Sequence, residues 1–98
     1  MRDVIVSDTV VNKISELRDY LAIELKMSEN AAMSRVDRIG DFLKSLANLV
    51  EYPLCRFKKW RSLGYRCAVF EKDWIFAYEL VKEGVIVQDM SNTALLAE

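Results

Sequence analysis

Histidine is absent from this 98-residue chain. With it go the commonest general base near neutral pH and every Ser/His/Asp or Cys/His nucleophilic arrangement. Three glycines leave no room for a glycine-rich loop that cradles phosphate. Only two cysteines occur, Cys55 and Cys67, and without histidine a mixed Cys/His zinc site is impossible. Neither a metal nor a cofactor is therefore expected. No apolar run approaches the roughly 20 residues that cross a bilayer, and the opening Met1-Arg2-Asp3-Val4 lacks the long apolar core of a secretory signal. The expected compartment is the cytoplasm, with no membrane partner. There the two thiols are expected to be reduced, and they read as small apolar packing residues. A strand-bridging disulfide and a reactive thiol are the other readings.

What is present describes one ordinary globule. Hydrophobic residues make up 52% of the chain and charged residues 30%, which is not the composition of a disordered segment. Residues 1–98 form a single domain, large enough to fold on hydrophobic burial alone. There are no internal repeats or low-complexity stretches.

Val4 to Val6 is a short β-branched run, and Asp8 and Thr9 follow as candidate helix caps. Val10, Ile14, Leu17, Leu21 and Leu25 then recur at helical spacing and place one apolar stripe on one face. Ser28 is a good N-cap for a second helix, with Glu29 in the first turn, where the helix dipole favours negative charge. Its stripe is Ala32, Val36, Ile39, Leu43, Leu46 and Val50, and Pro53 ends the run. The short link at 26–28 makes the two a helical hairpin.

After Pro53 the period shortens to two. Turn residues at 62–64, 72–73 and 82–84 separate four segments, 54–60, 65–71, 74–81 and 85–90, which read as an antiparallel meander. In the third, Trp74, Phe76, Tyr78 and Leu80 share one face and Ile75, Ala77 and Val81 the other, so that strand is expected to be central and covered on both sides. The fold class is α+β: an N-terminal strand, then an antiparallel helical hairpin packed on one face of a small, mainly antiparallel sheet, in the order β-α-α-β-β-β with a further strand possible. The opposite face is expected to be partly open. Ala94, Leu95 and Leu96 offer a last helical turn or a segment docked on the sheet.

The net charge of −1 argues against indiscriminate nucleic-acid binding, but its distribution is uneven. Between Arg56 and Arg66 lie five cations (Arg56, Lys58, Lys59, Arg61 and Arg66) and no acid. The aromatics Phe57, Trp60 and Tyr65 are interleaved with them. On a strand, Arg56, Lys58 and Trp60 project together. Cations that hold phosphates and an aromatic that stacks on an unpaired base make this a candidate surface for a target or nucleic acid: Arg56, Lys58, Trp60 and Tyr65. A solvated edge hairpin whose lysines discourage aggregation is the plainer reading.

The run Trp60-Arg61-Ser62-Leu63-Gly64-Tyr65-Arg66 resembles the basic strand-turn-strand of RelE toxins. Arg66 to Glu71, the stretch Trp74-Ile75-Phe76-Ala77-Tyr78-Glu79-Leu80 and Val85-Ile86-Val87 resemble, in turn, the strands of the ParE branch. Together these cover nearly the whole chain and look like the RelE/ParE superfamily, the toxins of type II toxin-antitoxin (plasmid stabilisation) modules. The resemblance implies growth inhibition, silencing by a cognate antitoxin that folds on binding, and either DNA gyrase or ribosome-bound messenger RNA as target. A RelE-like endoribonuclease would use Lys59, Arg61 and Arg66 to stabilise charge on the scissile phosphate. RelE toxins often place an arginine, tyrosine or histidine just after the last strand, where this chain has Met90-Ser91-Asn92-Thr93-Ala94. That departure, with the long hairpin, favours ParE-like inhibition of gyrase by binding. A degenerate member that keeps only its antitoxin contact is the remaining alternative.

Overall fold

A computed structural model describes residues 3–48 and 52–93 of the chain. The opening run forms strand β1 (Asp3–Val6), and the hairpin is helix α1 (Asp8–Ile23) followed by helix α2 (Glu29–Ser45). A single-turn helix, α3 (Lys58–Arg61), precedes strands β2 (Arg66–Phe70), β3 (Trp74–Val81) and β4 (Gly84–Asn92). The sheet runs β1-β4-β3-β2, with β1 parallel to β4 and the other pairs antiparallel. This is the α+β architecture expected from the sequence.

Both helices start on serine. Ser7 caps α1, one residue ahead of the candidates Asp8 and Thr9, and its Oγ accepts the Val10 N–H at 3.3 Å. The same hydroxyl donates to the Gln88 carbonyl, so the cap also fixes the helix to the sheet. Ser28 caps α2 by accepting the Ala31 N–H at 3.1 Å. The α1 stripe runs only to Leu21: Lys26 adopts φ 52°, the Met27 N–H reaches back to the Leu21 carbonyl, and Leu25 is left exposed. A left-handed residue of this kind ends helices by satisfying their last carbonyls. Val50, at the end of the α2 stripe, and Ala94, Leu95 and Leu96 lie outside the described residues.

The main core lies between the hairpin and the sheet. Leu17, Leu21, Ile39, Leu43 and Leu46 from the helices meet Ala68, Phe76, Tyr78, Val85, Val87 and Met90 from the strands. Phe42 of α2 sets its ring 4.9 Å from Phe70 and 5.9 Å from Phe76. Strand β3 is covered on both sides as its alternation requires, because Ile75 and Ala77 enter a second, smaller cluster with Cys55 and Trp60 on the opposite face.

That second cluster corrects the sequence reading. Residues 54–60 are not a strand of the meander; Leu54 makes only an isolated bridge to Arg66, and Lys58–Arg61 close a helical turn. The face opposite the hairpin is therefore padded at its centre by residues 55–65. Away from the pad it stays open, and Ile5 of β1 is 55% exposed there. The cysteines are also not separate packing residues: Cys55 and Cys67 form a disulfide, with Cα atoms 4.8 Å apart.

Candidate functional site

The cationic segment is built as a pad tied at its root. The Cys55 N–H donates to the Tyr65 carbonyl at 3.0 Å and the Cys67 N–H to the Pro53 carbonyl at 3.2 Å, and the disulfide joins the same two arms. Between them the chain turns through α3 and returns at Gly64, whose φ of 77° is one that L residues rarely adopt. Phe57 and Trp60, three residues apart, fall on one side of the turn with their rings edge-to-face at 6.0 Å. Trp60 is 3% exposed and packs with Cys55, Ile75 and Ala77.

The structure sorts the residues proposed from sequence. Arg56, Lys58, Lys59 and Arg61 are all exposed, and none is ion-paired with another described residue. Four exposed cations without a salt bridge to another described residue form a positive surface, with the Asp89 carboxylate within the field of Lys59. Trp60 is not part of it. A residue buried against the sheet has no ring face for a base, so its assignment as a stacking platform is corrected, as is the strand-like projection of Arg56, Lys58 and Trp60 together. Tyr65 is half-buried and packs against the same small cluster.

The three cations carried over as catalytic are not on one strand. Lys59 and Arg61 belong to α3, and Arg66 opens β2. The Arg66 guanidinium donates to the Tyr52 carbonyl, while the Tyr52 N–H donates to the Tyr78 hydroxyl at 3.1 Å. Arg66 thus fastens the start of the pad to the sheet. Its charge remains, but part of its hydrogen-bonding capacity is spent on structure.

Sequence reasoning missed Asp89. β1 pairs with residues 84–87 of β4, so among the described residues the outer edge of the remaining strand has no strand beside it. Lys13 of α1 reaches that edge and donates to the Met90 carbonyl at 3.0 Å and to Asp89 Oδ1 at 2.6 Å. Partial burial pushes the Asp89 carboxyl up. The Lys13 bond, the Met90 N–H, and the positive fields of Lys13 and Lys59 outweigh it and hold the carboxyl below its ordinary value. Asp89 is therefore a fixed anion beside the pad, the wrong state for a general acid. No pairwise spacing in the sequence announces a contact across 76 residues.

A groove of about 540 Å³ lies along α1, with Leu17, Tyr20, Trp74 and Met90 as its apolar lining and Lys13 and Glu16 at its polar side. Among the described residues no group of three or more Cys, Asp or Glu is placed to hold a metal ion. No described helix is long and apolar enough to cross a membrane. No known family model matches the chain, and no curated protein is similar to it.

Proposed function

We propose that the chain is the toxin of a type II toxin-antitoxin module of the RelE/ParE kind, arresting growth in the cytoplasm by binding DNA gyrase. The observation that carries this reading is the cationic pad. It lies opposite the helical hairpin, on a strand, hairpin and three-strand order like that of the toxins, and presents Arg56, Lys58, Lys59 and Arg61 without a salt bridge to any described residue. Such a surface attracts an acidic protein or nucleoprotein target and needs no chemistry of its own. A cognate antitoxin, folding as it binds, would find apolar area to bury along the groove at Leu17, Tyr20 and Trp74 and around exposed Ile5.

The second reading, a ribosome-dependent messenger RNA endoribonuclease, is favoured by one observation: Lys59 and Arg61 stand exposed on the pad, although Arg66 projects with Tyr78 toward the hairpin face. Against it stand the tether on Arg66 and the fixed charge of Asp89. The third reading, a non-toxic chain that only binds antitoxin, makes the first experiment a growth assay.

Induction of the chain alone in bacteria should stop growth, with loss of supercoiling and a DNA-damage response. Lys58→Glu with Arg61→Glu should restore colony formation at equal protein level. Cut transcripts with early loss of protein synthesis would instead identify the endoribonuclease, and normal growth with abundant folded protein would leave only the antitoxin-binding reading.

A further inference from the structure

The bridge between Cys55 and Cys67 closes the pad at its root, away from the main core. Neither cysteine belongs to the main core between hairpin and sheet. Among the described residues the pad is otherwise held by two backbone bonds, the Arg66 tether, the Tyr52 N–H bond to the Tyr78 hydroxyl, and a small cluster whose buried members are Cys55, Trp60, Ile75 and Ala77. All four exposed cations lie within the 12-residue separation that the bridge spans. We propose that Cys55 and Cys67 form a reversible thiol-disulfide latch, reacting with a dithiol reductant, that sets how tightly the cationic segment is held on the sheet.

The chemistry is two-electron exchange. One thiolate of the reductant attacks the sulfur of Cys67, the more exposed residue of the pair, and the sulfur of Cys55 leaves with the bond's electron pair and takes up a proton. The reductant's second thiol, losing its proton, closes on the mixed disulfide and frees Cys67. Two protein thiols and one oxidised dithiol result. In a reducing compartment, disulfides are as a rule transient and redox-sensing, so a bridge there suits a switch better than a permanent staple.

Opening the bridge returns conformational freedom to the loop between its ends. For a loop of this length the crosslink shifts the open fraction by about a hundredfold on the chain-entropy estimate. The reduced pad then lifts from Ile75 and Ala77 far more often, and its cations lose their fixed arrangement. The inference does not rest on the gyrase reading, because it concerns how the pad is held and not what it meets.

Limited trypsin digestion tests it, since Arg56, Lys58, Lys59 and Arg61 are the exposed cleavage sites on the pad. The full chain is oxidised with glutathione disulfide or reduced with dithiothreitol, and thiols are counted after denaturation. No free thiol in the first sample and two in the second are expected. Cleavage at the pad should be about a hundredfold faster in the reduced sample, with hydrogen exchange of the β3 amides equal in both. Cys55→Ala with Cys67→Ala should cut at the reduced rate whether or not dithiothreitol is present. If that variant does not fold, the wild-type comparison decides alone. Equal cleavage in both samples, two thiols persisting under oxidant, or exchange lost throughout the sheet on reduction would each overturn the latch.

Discussion

Single residues here carry constraints of very different size. Gly84 begins β4 directly opposite Asp3, and a Cβ added there would overlap the Asp3 carbonyl oxygen and crowd its backbone nitrogen. The obstacle is main chain, which cannot swing away, so Gly84→Ala should separate β1 from β4. A loss of about 3 kcal/mol is expected in urea unfolding, at the upper end of ordinary single substitutions. Lys72 is the opposite case. It holds φ 66° in the β2-β3 turn, beside Glu71 at 51°. Relief of roughly 1–2 kcal/mol of left-handed strain exceeds the roughly 1 kcal/mol that glycine loses through added freedom of the unfolded chain. Lys72→Gly should therefore add about 0.5 kcal/mol to the unfolding free energy on those magnitudes, read as a higher urea midpoint.

Asp89 adds a dependence on pH whose sign follows from its lowered carboxyl. Its contribution is complete above the ordinary aspartate value of about 3.8 and is lost as the pH falls through the lower, folded value. Comparing the wild type with Asp89→Asn by thermal melts from pH 7 downwards should show a gap that is constant at first and narrows in strong acid. A gap that widened on acidification would contradict the Lys13 pairing.

At the scale of elements, Trp60 decides what the pad is. Buried against Ile75 and Ala77, it should cost about 3 kcal/mol of stability when replaced by alanine, as large-to-small changes in well-packed sites do. Lys58→Ala, at an exposed position, should stay within about 0.5 kcal/mol. A tryptophan serving as a stacking platform would reverse that contrast, leaving the unfolding midpoint unmoved and weakening only target binding.

The same segment marks where the sequence stopped being legible. α1, α2 and β3 are long enough for their apolar periods to repeat several times, and each was readable from the spacing of Leu17 and Leu21, of Ile39 and Leu43, or of Phe76 and Tyr78. Residues 54–60 are too short for either period to establish itself. Phe57 and Trp60 stand at helical spacing, but Arg56, Lys58 and Trp60 alternate equally well, and the choice was made by a disulfide and by the sheet beneath. The cations were visible from composition, and their exposure agrees with it. The arrangement that holds them depends on Tyr52, Arg66 and Cys67, contacts that no local pattern encodes.

On the scale of the whole molecule, charge and shape divide between two faces. The hairpin side is occupied by the main core, while the pad side carries cations over a thin second core and leaves Ile5 exposed beyond them. Association through exposed cations is screened over about 10 Å at moderate ionic strength. Binding of any acidic target should therefore weaken steeply from low to moderate salt, and removing Lys58 and Arg61 together should flatten that dependence. Binding measured across a salt series for both proteins checks it; identical slopes would place the contact elsewhere.

β1 has β4 as its strand partner, although almost the whole chain separates them. A ribosome that stalls before residue 84 leaves the opening strand with no neighbour, whatever the helices behind it have done. Long-range pairing of this kind also slows folding. A translation product abandoned before residue 84 therefore cannot complete this sheet.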